Sequence, residues 1–436
     1  MVLPRYRGVS AGTLVETFPV SVGGFTRDAG FFEAPLADGA RAILVDCPEL
    51  YDRAALYGVG SDDYADNARR FAFLVRAALE FAGRRSPAPS IVHAHDWQAG
   101  LAPVYLRTVY QTHPALGGIP SVFTIHNLAY QGAFAADWLP RLDLGLEQLA
   151  IDRLEYWGRI SFLKGGINDA DLVTTVSKRY AEEIQTPAFG FGFDGILRRR
   201  RGDLAGILNG IDTREWDPAS DPALPAPYSA DDLSGKAASK AAVLSRHGLP
   251  TDDAALRRPL IGMVSRMVDQ KGFDLIAAVS DQLPNLDASF VVLGTGEPRY
   301  QTMWSSLAAA YPEKIGARIG FDETLAHLIE AGADMFMMPS QFEPCGLNQM
   351  YSMRYGTVPI VRAVGGLADT VTPKTGFSFQ DYSPAALVGA LQAALTAYAK
   401  PRTWRALQVA GMRQDFSWDR SATEYVKIYD RALGRA

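Results

Sequence analysis

Two histidines, an aspartate and a tryptophan fall together in the stretch Ser90-Ile91-Val92-His93-Ala94-His95-Asp96-Trp97-Gln98-Ala99-Gly100. The apolar residues before them suit a β-strand, which sets the polar groups and the indole at its carboxyl end. Such a set suits a sugar, whose hydroxyls need donors and acceptors and whose ring faces stack on an aromatic. A His-Asp pair that only ties the strand to its helix is the plainer alternative. His93 and His95 alternate along the strand, so their imidazoles share a face, but no further Cys or His pattern completes a zinc set. The run Ser121-Val122-Phe123-Thr124-Ile125-His126-Asn127-Leu128 repeats the arrangement one unit later. Two consecutive strands ending alike favour a ligand role for His126 over a satisfied core histidine.

The second half carries a different chemistry. Ser265-Arg266-Met267-Val268-Asp269-Gln270-Lys271-Gly272 follows an apolar run directly and opens a helix. Arg266 and Lys271, backed by free N–H groups at a helix start, form an anion site without a metal. Pro339-Ser340-Gln341-Phe342-Glu343-Pro344-Cys345-Gly346-Leu347-Asn348-Gln349 is another strand end leading into a helix. Gly346, Leu347 and Asn348 can offer backbone N–H groups to phosphate. Glu343 beside such a site is electrostatically costly unless positive charge builds up nearby during reaction, as it does on an oxocarbenium-like sugar. Gly365-Gly366-Leu367-Ala368-Asp369 adds a glycine-rich turn on the same side. Sugar-type groups in front and a cationic diphosphate site with one carboxylate behind describe transfer of a sugar from a nucleotide diphosphate.

Other chemistries are disfavoured. Gly294-Thr295-Gly296-Glu297-Pro298 lacks the third glycine of a dinucleotide fingerprint, and Lys374-Thr375-Gly376 has no glycine loop before it to make a nucleotide-triphosphate loop. Asp169-Ala170-Asp171 precedes its strand, so capping is expected rather than metal binding. The four arginines Arg198 to Arg201 suit a solvated helix face better than an anion contact. Lys plus Arg number 43 against 48 Asp plus Glu, a net charge of −5, which gives no field for nucleic acid or an anionic membrane. Two cysteines, Cys47 and Cys345, are too few for a disulfide framework. With no apolar leader and no run of about 18 apolar residues, a cytoplasmic, soluble protein is expected.

These motifs must be held by elements. The 436 residues predict two or three domains at about 150 residues each. Short apolar runs followed by helical patterns recur throughout, the signature of parallel α/β architecture. The strands expected are 41–46, 90–94, 120–125, 171–176 and 204–208 in the first half, and 259–264, 288–293, 315–320, 334–338 and 358–361 in the second. A Pro-, Asp- and Ser-rich stretch, 217–256, separates the halves and carries a helix over 234–247. The division expected is therefore 1–216, a connection 217–256, a second domain 257–415, and a last segment 416–436. Two doubly wound domains facing a cleft would put their strands' carboxyl ends around one ligand site.

At these residues the sequence resembles bacterial glycogen synthases, the family shared with plant starch synthases. The resemblance runs over nearly the whole chain. It rests on His93 to Gly100, on Thr-Ile-His-Asn-Leu-Ala-Tyr-Gln-Gly at Thr124 to Gly132, and on Ile-Ser-Phe-Leu-Lys-Gly-Gly at Ile160 to Gly166. Leu-Asn-Gly-Ile-Asp at Leu208 to Asp212, Ser265 to Gly272, and Phe342 to Gln349 complete it. It implies two Rossmann-like domains in the glycosyltransferase B architecture, and retaining transfer of glucose from ADP-glucose to the non-reducing end of an α-1,4-glucan, without metal or cofactor. By position, Arg266 and Lys271 would hold the diphosphate with Gly294, Gly346, Leu347 and Asn348, Glu343 would face the donor sugar, and His126 would bind one of its hydroxyls. Asp96, Trp97, Tyr130 and Asn209 would line the sugar and acceptor side. Phe321 would stack near the adenine, where the family often has Tyr. Domain closure would exclude water from the donor, and the helix near Trp418 to Leu433 would return to the front domain. No feature specifies an oligomeric state.

Two departures from the family are expected to matter. Its opening strand and Lys-Thr-Gly-Gly-Leu loop have no counterpart, so two strand edges in the front domain should lack a neighbour. The segment after Val371 should be a shortened surface loop. Tyr351 stands where the wider group of such transferases has a second Glu, which argues for this family over a related transferase using UDP-glucose. A non-catalytic glucan-binding protein is the alternative from another class.

Overall fold

The computed structural model describes residues 1–60 and 62–434, which form two compact units. The first comprises Met1–Thr175, Ile184–Ala205 and the chain from Val426, the second Val176–Glu183 and Gly206–Tyr425.

The second unit is built on one parallel sheet of six strands. In spatial order these are Ile315–Ile319, Ser289–Gly294, Leu260–Val264, Met335–Met338, Val358–Arg362 and Phe377–Phe379. Numbered along the chain, that order is 3-2-1-4-5-6, with helices on both faces, the doubly wound arrangement. The central strands are apolar along nearly their whole length because both faces are covered. Ile261, Phe290, Met335 and Ile360 are buried, and Trp304 packs into the same core. The topological reversal falls between Leu260–Val264 and Met335–Met338, where Ile261 stands opposite Met335. Gly262 is required there, since a Cβ would meet Ile329 at 2.8 Å.

The first unit holds two four-stranded sheets. One is parallel, with strands Leu204–Gly206, Leu172–Thr175, Ser121–Ile125 and Val92–His95. The other runs Val2–Pro4, Arg41–Asp46, Phe25–Pro35, Thr13–Val22 and is mixed, its first pair parallel and the rest antiparallel. Among the described residues Val2–Pro4 and Val92–His95 are each paired on one side only. The long hairpin Thr13–Val22/Phe25–Pro35 was not expected. A small antiparallel sheet of Glu155–Tyr156, Arg159–Ser161 and Ala133–Ala135 was likewise missed. Every strand expected from the sequence is present to within two residues at each end.

The last helix, Trp418–Leu433, contributes its residues from Val426 on to the first unit. There Ala432 packs on Val122 and Leu172, beneath the parallel sheet. Asp171 stands at the start of its strand and accepts the Ser121 N–H at 2.7 Å, while Asp169 pairs with Arg153, so both aspartates are structural. The chain after Val371 turns tightly, Thr375 and Gly376 both donating backbone N–H groups to Thr372 O, before Phe377–Phe379. None of the described helices is long and apolar enough to cross a membrane.

Candidate functional site

In the second unit the site forms where adjacent strands end. Because Leu260–Val264 and Met335–Met338 are neighbours, the loops that follow them emerge side by side. The first loop carries Arg266 and, on a short 3-10 turn ending at Gly272 (φ 80°), Lys271. The second carries Ser340 and Glu343. Lys271 Nζ donates to Glu343 Oε2 at 2.7 Å, and Ser340 Oγ donates to the same oxygen at 3.0 Å. The sequence alone could not show this pairing, which answers the electrostatic objection to a carboxylate in an anion site: an ammonium balances it. Arg266 is exposed, and its side chain donates to Gln270 Oε1 at 3.5 Å, a long, weak bond that leaves the guanidinium open to an anionic ligand.

A cavity of about 340 Å³ opens at this point, and Arg266, Lys271, Glu343, Gly346, Leu347 and Asn348 all border it. The loop over it is fixed from several directions. Asn348 Nδ2 donates to Val264 O at 2.8 Å, tying it to the strand beside it. Gly346 adopts φ 68°, and Gly365 (φ 45°) lies so close that a Cβ would stand 1.9 Å from Glu343 O. The glycine-rich turn thus acts as a backing for the Glu343 loop. Cys345 is buried against the Asn209 backbone N–H, and burial pushes its thiol up to about 12, so it is an inert packing group. Asn209, expected on the acceptor side, belongs to this second unit and is placed against Cys345.

Gly294 does not line that cavity. It lets two strand ends close up: a Cβ there would meet Ser265 O at 1.9 Å, while Ser265 N and Gly320 N bond to Leu293 O and Gly294 O. Beside it lies a second cavity of about 390 Å³ that includes Arg318, Phe321 and Leu325. Phe321 is 89% exposed, an apolar ring presented to solvent at a strand's carboxyl end. Tyr351 stacks on Trp216 at 3.7 Å and 13°, a packing role.

In the first unit the histidine-bearing strands pair as neighbours. Asp96 adopts φ 54°, rare for a residue with a side chain and typical of strained functional positions. Its Oδ1 accepts the His126 N–H at 2.7 Å, which fixes the start of the His126 loop, and burial raises its carboxyl above the usual range. His95 Nδ1 and His126 Nε2 lie 3.0 Å apart. His93 and His95 share a face, with ring centroids 4.2 Å apart. His93 is bonded to Tyr429 and Thr124, and Thr124 to Thr174, so it anchors a buried polar chain. Burial and then the neighbouring imidazoles hold His93 down to about 3 and His95 to about 4.

Trp97 departs from expectation. It is 8% exposed and packs on Phe71, Tyr57 and Phe134, and Gly132 is held against it so closely that a Cβ would meet the ring at 2.6 Å. Its indole braces the strand end rather than presenting an open face, whereas Tyr130 is 51% exposed. Thr124 and Tyr429 were missed because their partner His93 is 31 and 336 positions away, and Ser340 because nothing in its loop's sequence marks a hydroxyl turned onto Glu343, three residues on.

Among the described residues, one group could hold a metal. Ligand atoms of Glu215, Glu323 and His327 lie within 4.8 Å of one another, with His327 Nδ1 already bonded to Asp221. It lies outside the two cavities above.

The chain is 45% identical over 439 residues to a glycogen synthase from Koribacter versatilis, spanning 98% of this chain and 90% of that one. With the glycogen synthase of Anaeromyxobacter dehalogenans (strain 2CP-C) it shares 51% over 397 residues, 89% of this chain and 83% of the relative. The chain belongs to the glycogen synthase family. Residues 1–199 match the family described as starch synthase catalytic domain, and 252–406 the one described as glycosyl transferases group 1. The solved catalytic domain of starch synthase IV from Arabidopsis thaliana, bound to ADP and acarbose, superposes with a TM-score of 0.89 at 33% identity, covering 99% of this chain and 92% of that one. A sucrose-phosphate synthase from Thermosynechococcus elongatus shares the fold at TM-score 0.58 and 20% identity, over 93% and 86% of the two chains. As a member of the family, the chain is a glycosyltransferase of the glycosyltransferase B fold.

Proposed function

We propose that the chain is an ADP-glucose-dependent glycogen synthase, which transfers glucose with retention to the non-reducing end of an α-1,4-glucan. The observation that carries the reading is the Lys271–Glu343 pair beside the open Arg266 guanidinium, at the switch point of the second sheet. The donor's diphosphate takes the two cations, and Phe321 offers its exposed ring to the adenine. Arg266 and Lys271 neutralise the leaving phosphate, so a divalent metal has no required role in this reading. As the C1–O bond to phosphate lengthens, positive charge grows on the sugar and Glu343 stabilises it. The acceptor hydroxyl bonds to C1 on the face the phosphate leaves, and its proton passes to the departing phosphate oxygen, releasing ADP. Asp96, His126 and Tyr130 supply the hydroxyl-binding groups. Acarbose in the starch synthase IV structure supports a glucan-like ligand for this family.

The test is transfer from ADP-glucose to maltotriose in the presence of EDTA, with the new linkage read by proton NMR. An α-1,4 product, with UDP-glucose a poor competitor, is expected. A β-linked product, a clear preference for UDP-glucose, or no transfer would overturn the reading.

A further inference from the structure

His327 has no place in the chemistry above. It lies on the helix Glu323–Gly332 of the second unit and is only 7% exposed. Its Nδ1 stands 2.7 Å from Asp221 Oδ2, an oxygen that also accepts the Tyr355 hydroxyl at 2.5 Å. Asp221 Oδ1 accepts the Ala223 N–H at 2.8 Å. An ionised carboxylate can only accept, so the imidazole proton sits on Nδ1 and the lone pair on Nε2. Among the described residues none bonds to Nε2. A histidine so deeply buried ordinarily has partners for both nitrogens. The ring is also held in plane, because Trp216 stacks on it at 3.8 Å and 16°.

The elements that fix the ring deliver two carboxylates beside it. Glu323 stands one helical turn before His327, on the same face. Glu215 precedes Trp216, in a turn closed by the Trp216 N–H bond to Asp212 O at 2.9 Å. One oxygen of each carboxylate and a ring nitrogen of His327 lie within 4.8 Å of one another. With Nδ1 committed to Asp221, Nε2 is the nitrogen available to a ligand. Among the described residues neither glutamate pairs with a cation, since Arg214 goes to Asp212 at 3.6 Å and Arg354 to Asp217 at 3.3 Å. Two carboxylates that close repel each other unless positive charge comes between them.

We infer that Glu215, Glu323 and His327 Nε2 bind a zinc ion at a site apart from the transferase chemistry. An imidazole in the set selects zinc over magnesium or calcium, which prefer oxygen alone. Three protein ligands leave the fourth position to water, so the ion is exchangeable. Asp221 fixes the tautomer and orientation of the histidine, as carboxylates behind metal-bound imidazoles do. The ion's effect is to clip the segment before Trp216 onto the helix that begins two residues after Phe321.

The test is calorimetric titration of Zn²⁺ into the chain after EDTA treatment and gel filtration. One equivalent should bind, and Co²⁺ in its place should show the visible absorption of a tetrahedral site. At about a hundredfold excess over its Kd, Zn²⁺ should raise the thermal midpoint by about 5–10 °C. Glu215→Gln/Glu323→Gln changes two exposed side chains and removes two like charges, so its metal-free midpoint should not fall below that of the wild type. It should lose both the bound equivalent and the zinc-induced shift. No bound equivalent in the wild type would overturn the inference. So would undiminished binding in the double variant, which would place the ion at His95 and His126, 3.0 Å apart in the first unit. Binding is read without turnover, so the result is independent of the function proposed above.

Discussion

Replacing Lys271 with methionine separates what the ion pair does for the fold from what it does for chemistry. Glu343's side chain is 6% exposed and Lys271's 22%, with 2.7 Å between the charged atoms. At an effective dielectric of about 20 their gross attraction is roughly 6 kcal/mol, most of it offset by desolvation. Removing one partner of a buried pair costs about 3–5 kcal/mol, because the other charge stays behind. Ser340 still donates to Glu343 and Lys271 is partly wet, so about 2–3 kcal/mol is expected. For a unit of this size that lowers the thermal midpoint by about 4–10 °C. Lys271→Met/Glu343→Gln removes both charges and should regain most of that loss, a coupling of about 2 kcal/mol. Turnover behaves differently, falling ~10²-fold or more in either single variant without recovery in the double. Scanning fluorimetry and ADP release give the two readouts. A double variant as unstable as Lys271→Met would refute the ion-pair argument, and near-normal turnover in Lys271→Met would refute the diphosphate role.

Arg266→Ala should leave the thermal midpoint unchanged, since the side chain is exposed, yet reduce turnover ~10²-fold; a midpoint drop without a rate loss would count against it. Gly294→Ala forces a Cβ to within 1.9 Å of Ser265 O, so calorimetry should show a destabilised second unit and kinetics a raised KM for ADP-glucose. Asp96→Asn tolerates the positive φ and keeps an acceptor for the His126 N–H, so the fold should survive while transfer slows, measured as kcat at equal midpoint. His93 and His95 are held neutral in the fold, at about 3 and about 4, whereas the unfolded chain takes up these protons below about pH 6.5. Stability present at neutral pH is therefore lost as pH falls from about 6.5 towards those values. The urea midpoint should decline across that window, and His93→Gln should flatten the slope.

The parallel strands were legible because each is a short apolar run followed by a helical pattern, as at Leu260–Val264. The hairpin Thr13–Val22/Phe25–Pro35 was not, since its strands alternate buried and exposed residues and lack the continuous apolar run of a parallel strand. Its signal was present in Gly23-Gly24, a two-residue glycine turn between alternating runs. At the site, residue types and strand-end positions pointed to Arg266, Lys271 and Glu343, but not to the contact between the last two. That contact joins residues 72 positions apart and depends on which strands are neighbours in the sheet, a property of topology rather than of local sequence. Trp97 was misjudged for a related reason. An indole after a strand is equally consistent with an open face or a buried brace, and Gly132, held close against the ring, decides for the brace.

The bond between Tyr429 and His93 spans 336 positions, and the residues from Val426 belong to the same compact unit as the strand they reach. During synthesis, then, the unit that begins first cannot finish first. The parallel sheet of the first unit leaves the ribosome with Val122 and Leu172 still uncovered, and waits for Ala432 while the whole second unit is made. Such a long-range closure slows folding and prolongs exposure of apolar surface. A nascent chain stalled before residue 426 should therefore hold a folded second unit beside an open first one.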